Sequence, residues 1–286
     1  MSLSRQPATL IALALTLGSA HATEAMLTPS GNGEYGLAAK GISADVVISG
    51  DAESTFSFSL AISEVDETVL THTVEDIFSI FALPAVRLVE MDATNDTLEV
   101  QLSSWTGGAH CCNDILVFTK GEQRWKQLDV GSFDAFTDPG NLIDADYDGV
   151  FDLVAVDDRF LYTFASYAGS AAPVRVLGIR GGAIADVTSE PQFENVVRSS
   201  LNDMGEMPDA GEARNSWLAT YAAHLLLLGE DDPLDFALGS HDPSVNWGMT
   251  RCIVPEVNFS CPEGKEETVG FERALTEFLT ETGYLR

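Results

Sequence analysis

The chain has 286 residues and a formal net charge of −29, from 15 basic and 44 acidic side chains. So negative a surface repels phosphate polyanions and anionic bilayers, and no basic cluster offsets it, which argues against nucleic-acid and anionic-membrane partners. A hydrophobic content of 45% excludes wholesale disorder and is enough to build one large or two modest domains.

The N-terminal stretch, residues 1–22, reads as a secretory signal peptide. Arg5 provides a basic start, Leu10 to Leu17 an apolar core, and Ala20-His21-Ala22 a small-x-small cleavage site. It is too short to span a bilayer, and no later stretch approaches ~18 consecutive apolar residues, so no transmembrane segment is expected in the mature chain. Cleavage would remove Arg5 and no acid, taking the charge from −29 to −30. The expectation is a periplasmic or secreted protein that starts near Thr23.

Residues 23–40 carry Gly, Asn and Ser and are expected to form a flexible leader. Residues 41–193 are expected to form a β-rich body. ADVVIS, STFSFSLAIS, TVLTHTV, LEVQLSS, DILVFT, DLVAV, FLYTFASY and VRVLGI alternate at period two between Gly, Asp and Asn punctuation. From 194 to 286 the texture turns helical. Trp217, Leu218, Tyr221, Ala222, Leu225 and Leu228 recur at helical spacing before Gly229, and Phe271, Ala274, Leu275, Phe278 and Leu279 do so before Gly283. Asn202 to Gly211, ahead of the first of these, suggests a mobile linker.

Two stretches of the body align as degenerate repeats. Glu90 and Asp92 open one acidic loop, Asp144 and Asp146 the other. Each returns to a strand through an acid, Glu99 or Asp152, and each ends on an aromatic residue before a glycine turn, Trp105 or Tyr167. Only the second loop keeps its full acidic set, DADYDGVFD. Oxygen donors at its first, third, fifth and ninth positions, with Gly149 sixth, suit a hard cation that takes six to eight oxygen ligands. Asp144, Asp146, Asp148 and Asp152 would supply carboxylates and Val150 its carbonyl, so Ca2+ is the expected cofactor. An EF-hand is disfavoured, because its twelfth position holds Ala155 and a strand follows the loop instead of a helix.

This loop resembles the calcium loops of FG-GAP/VCBS-type repeats, the blades of integrin-like propellers. The motifs at Gly107–Cys112 (GGAHCC), Asp144–Gly149 and Arg159–Pro173 also resemble a family of uncharacterised periplasmic proteins of proteobacteria. The resemblance implies a mainly β fold, a repeat-containing body of FG-GAP or propeller-blade-like units with a small C-terminal helical region, and an exported protein of unassigned activity.

His110, Cys111 and Cys112 raise a metal or thiol-nucleophile reading. Zinc sites use spaced cysteine pairs, and an exported thiolate would face an oxidising compartment, so disulfides are favoured. Four cysteines allow three full pairings. Strain in a Cys111–Cys112 ring argues for crossed bonds to Cys252 and Cys261. The corner Ala172-Pro173 of the second repeat argues for the local pairing, Cys111 with Cys112 and Cys252 with Cys261, which is the one adopted. His72, His224 and His241 stand alone, as structural histidines do, and no nucleophile-elbow, zincin or phosphate-loop motif is present. Trp105, His110 and Tyr167 are the candidate contact surface. The chain therefore reads as an exported calcium-binding module that contacts a glycan, an envelope protein or a small ligand. The alternative is a periplasmic hydrolase on a calcium-supported β scaffold.

Overall fold

The computed structural model describes residues 25–51, 55–108, 111–134, 141–255 and 260–285, without the side chains of Ile80 and Cys111. The expected signal peptide and cleavage site lie outside the described residues.

Strand β1 (Ala25–Leu27) precedes a four-stranded antiparallel meander of β2 (Gly33–Ala39), β3 (Ile42–Gly50), β4 (Phe56–Glu64) and β5 (Glu67–Ile77). Two-residue turns with both φ positive join β2 to β3 and β4 to β5: Lys40 and Gly41 at +48° and +83°, Val65 and Asp66 at +48° and +68°. Such turns match the right-handed twist of paired strands. Residues 25–27 and 33–39 are thus strands within the stretch that reads as a flexible leader. Its own alternation is weak, and its order comes from pairing: β2 runs its full length along β3, and β1 lies on β6 (Ala85–Val89).

Strands β6, β7 (Glu99–Trp105), β8 (Cys111–Lys120) and β9 (Trp125–Asp134) continue a second antiparallel sheet in the order β1-β6-β7-β8-β9. Period-two patterning gives each sheet one apolar face, and the two faces share a core. Ile42, Val46, Phe58, Leu60 and Ile62 from the meander cluster with Val86, Leu88, Val100, Leu102 and Phe118 from the other sheet. Each of the larger side chains stabilises the fold by about 1.5–3 kcal/mol through burial.

A third sheet, in the order β10-β11-β12-β13, comprises β10 (Leu142–Ile143), β11 (Asp152–Val156), β12 (Val174–Arg180) and β13 (Ala183–Asp186). The chain divides into two compact units. The first ends at Val154 and regains Leu177–Asp186; the second comprises Ala155–Val176 and the chain from Val187 onward.

The second unit contains α1 (Glu194–Asp203), α2 (Glu212–Leu227), α3 (Asp235–Ser240) and α4 (Phe271–Glu281), with a small ribbon of β14 (Thr250–Cys252) and β15 (Glu266–Thr268). Small residues on α2 (Ala219, Ala222, Ala223) allow close approach to Phe271, Ala274, Leu275 and Leu279 of α4. Both long helices stop near their glycines, Gly229 at φ +66° and Gly283 at φ +85°. The stretch read as a mobile linker is anchored: Arg214 donates to the carbonyls of Pro208 and Asp209, and Gly211 N–H to Asp242.

One strand expectation fails here. FLYTFASY (160–167) is turn and bend, bounded by short 3-10 turns at Asp158–Phe160 and Tyr167–Gly169. Asp157 caps the first turn by accepting Arg159 N–H, and Phe160 and Phe164 both enter the helical core. Residues four apart share a face in a strand as well, so the period-two reading could not tell this packing from a strand. The architecture is mainly β, with several antiparallel sheets and a helical C-terminal region. No propeller or repeat unit is identifiable among the described residues, and no helix among them is long and apolar enough to cross a membrane.

Candidate metal centre

The acidic loop closes the hairpin between β10 and β11, where Ile143 faces Asp152 in register. Tyr147 at φ +65° and Gly149 at φ +90° fold the loop back on itself. Gly149 N–H donates to Asp144 at 3.2 Å, Asp148 N–H to Asp146 at 3.3 Å and Val150 N–H to Asp148 at 2.8 Å. These turns gather the side chains, and one carboxylate oxygen each from Asp144, Asp146 and Asp148 lies within 4.8 Å of the others.

Asp144 Oδ1 is buried without a hydrogen-bond partner. Asp152, only 3% exposed, opens β11 and lies outside the cluster formed by those three oxygens. Burial pushes its pKa up to about 7, reinforced by Asp146, Asp148 and Asp144 and opposed by the Arg180 guanidinium. Burial likewise raises Asp146, with Asp148 and Asp144 adding to it. The donor set is all oxygen, as calcium requires, and the neighbouring carboxylates disfavour the ionised forms of Asp146 and Asp152.

The first acidic loop is a control within the same chain. It closes the hairpin between β6 and β7, where Val89 faces Glu99 in register, and Glu99 is also fully buried. Here protein donors meet the oxygens. Glu99 Oε2 accepts Met91 N–H at 2.8 Å and Asp92 N–H at 3.1 Å, while Oε1 accepts Asn95 Nδ2 at 3.0 Å and Thr119 Oγ1 at 2.8 Å. Asp92 accepts from Thr94 N–H and Oγ1, and Asn95 Oδ1 from Thr97 N–H and Oγ1. Only Glu90 Oε1 is left buried without a partner in this loop. Threonine and asparagine thus bring donors to this loop, where the loop 144–152 carries aspartates. The two loops touch through Phe151 N–H, which donates to the Glu90 carbonyl at 2.7 Å.

Residues 197–283 match the family model of the sll0997 C-terminal domain. The chain is 34% identical over 221 residues, 74% of its length, to the probable thylakoid lumen protein sll0997 of Synechocystis sp.. It is 31% identical over 204 residues, 70% of its length, to the uncharacterized protein y4bJ of Sinorhizobium fredii. It spans 64% of the first relative and 32% of the second, both of which are longer proteins. No solved structure matches. The sll0997 C-terminal match falls in the second unit and does not reach the acidic loop.

Cys252 and Cys261 form a disulfide, with Cα atoms 5.5 Å apart, and Cys112 is also disulfide-bonded. The expected Cys111–Cys112 pairing rests on the Cys111 side chain, which lies outside the described residues, as does His110. Of the other contact-surface residues, Trp105 is half-buried against the sandwich core and meets Phe78 edge-on at 5.7 Å, while Tyr167 sits in the second unit beside Tyr162.

The lone histidines have structural partners. His224 is fully buried between the Thr220 carbonyl and Ser200 Oγ, and burial lowers its pKa. His241 stacks on Phe271 and His72 lies 5.3 Å from Phe118. Sequence reasoning missed Arg180 and Gly178. A Cβ on Gly178 would come within 2.9 Å of Asp152 Oδ1 and 2.8 Å of Arg180 Nη1, so only glycine leaves room for both groups. No local pattern marks either residue, because sheet pairing alone brings them to Asp152.

Proposed function

We propose that this is an exported calcium-binding protein in which the loop 144–152 holds one Ca2+. Asp144, Asp146, Asp148 and Asp152 bind it through carboxylates and Val150 through its carbonyl. The spacing of the loop resembles that of FG-GAP/VCBS calcium loops, although no propeller is identifiable among the described residues. The bound ion ties the β10–β11 hairpin together and stabilises the β-rich body of a periplasmic or secreted binding module. The contrast between the two acidic loops carries this reading: Glu99 has four protein donors, while Asp144 Oδ1 is buried with none among the described residues. The signal-like N-terminus and the relative described as a probable thylakoid lumen protein both support export.

Melting temperatures in chelator, calcium and magnesium test the reading. A ligand that binds only the folded state adds RT ln(1 + [L]/Kd), about 2.7 kcal/mol at ~100 times Kd. Calcium should therefore raise the melting temperature by a few degrees. Magnesium should do so poorly, because it demands a smaller octahedral shell. Asp146→Ala should abolish the shift and Glu90→Ala should preserve it. Identical melting of the wild type in all three conditions would leave the loop an acidic turn and sink the proposal.

A further inference from the structure

We propose that Tyr162, Tyr167 and Trp247 form a preorganised aromatic platform in the second unit that binds a neutral oligosaccharide. The Tyr162 and Tyr167 rings lie 5.5 Å apart at a 37° tilt, and Trp247 Nε1 donates to the Tyr162 carbonyl at 2.9 Å. Tyr162 is 55% exposed and Trp247 41%. Large aromatic side chains that face solvent gain little from burial, yet this group is held in place.

Tyr162 adopts φ +61°, a conformation that costs any residue but glycine on the order of 1 kcal/mol and is maintained only where its surroundings enforce it. Here they do. Tyr162 N–H donates to Ser170 Oγ at 3.0 Å, and Ser170 Oγ in turn reaches the Ser166 carbonyl at 3.0 Å. The loop of Trp247 closes down on the same segment, and a Cβ on Gly248 would lie 1.9 Å from the Thr163 carbonyl oxygen. Strain and a tryptophan hydrogen bond are thus spent on presenting an exposed tyrosine.

The surrounding chemistry selects the ligand. Arg159, the basic residue of this segment, is committed to the Asp157 carboxylate and the Thr282 carbonyl, so an anionic ligand finds no counter-charge in it. Ser166 Oγ donates to Glu212, a further obstacle to anions and an acceptor suited to hydroxyl groups. Asn246 is exposed beside Trp247 in the sequence, and the Tyr162 hydroxyl has no partner among the described residues. A pyranose ring offers the complement, a C–H face for the rings and neutral hydroxyls for the rim. Three part-buried rings, each ~150–250 Å² when whole, fall short of the ~800 Å² per partner that a stable protein interface buries.

The inference rests on reading the protein as an exported binding module, and it is independent of the calcium loop, which belongs to the first unit. Calorimetric titration of the mature protein in calcium with cellohexaose, maltohexaose and chitohexaose tests it. At least one should bind with Kd below ~1 mM. Tyr162→Ala should weaken that binding at least ~tenfold, and Trp247→Ala should do the same. Tyr162→Phe, which keeps the ring, should stay within ~threefold of wild type, which separates lost stacking from a collapsed loop. No heat from any of the three sugars, or unchanged affinity in Tyr162→Ala, would overturn the proposal. Asp146→Ala should lose the calcium shift and keep the sugar, so failure of either reading shows by itself.

Discussion

Glu99 should make the protein less stable as pH rises from 5 to 8. Its carboxyl is fully buried, and burial, reinforced by the Glu90 charge, raises its pKa from 4.5 to about 7 against the four hydrogen bonds that favour the ionised form. The folded protein holds this proton more tightly than the unfolded chain does. The stabilisation is complete below pH 4.5 and disappears as pH climbs through 7. At 1.36 kcal/mol per pH unit the full effect is about 3 kcal/mol, of which about 2.5 kcal/mol falls between pH 5 and 8. Glu99→Gln removes the titration. Its amide NH2 must face Asn95 or the backbone donors, a constant cost of about 1–3 kcal/mol at every pH. The readout is therefore the slope. Urea unfolding of both proteins in chelator at pH 5, 6, 7 and 8 should show the wild type losing about 2.5 kcal/mol more than the variant across that range. Parallel curves would mean that Glu99 is already ionised in the fold at pH 5 and that its four donors outweigh burial.

Gly248→Ala places a methyl group 1.9 Å from the Thr163 carbonyl oxygen at φ +71° and should cost about 3 kcal/mol or more. Gly239→Ala in α3, where an added Cβ meets nothing within 4 Å, should be neutral or stabilising by up to about 1 kcal/mol. Chemical denaturation of both variants checks the pair, and equal losses would contradict the packing at Gly248. Replacing Cys252 and Cys261 together by serine opens a loop of sequence separation 9 and should lower stability by about 2.5 kcal/mol. Differential scanning calorimetry would register this as a lower melting temperature, and an unchanged one would show that the bond constrains nothing.

Much of this molecule is legible locally. Alternation in ADVVIS and STFSFSLAIS marks strands, because one face of a sheet must be apolar and the strand period is two. Helical spacing from Trp217 to Leu228 marks α2 for the corresponding reason. The Asp-x-Asp-x-Asp-Gly loop shows itself because its ligands lie within nine residues. Strands β1 and β2 are not legible in residues 23–40 because β2 owes its order to β3, and FLYTFASY reads as a strand although Phe160 and Phe164 pack on helices more than fifty residues further along the chain.

The acidic loops show the same division most plainly. Their spacing, their carboxylates and the acid that begins each following strand are properties of the sequence alone. Whether those acids have protein donors is decided by tertiary structure: Thr119, on β8, reaches Glu99 across the sheet, and Gly178 and Arg180 come to Asp152 from β12. Tyr162 and Trp247, 85 residues apart, likewise meet only in the fold. Local pattern specifies which groups a segment carries. Long-range packing fixes which of them are buried and what they face, and burial and neighbours set the chemistry of a carboxylate or an aromatic ring.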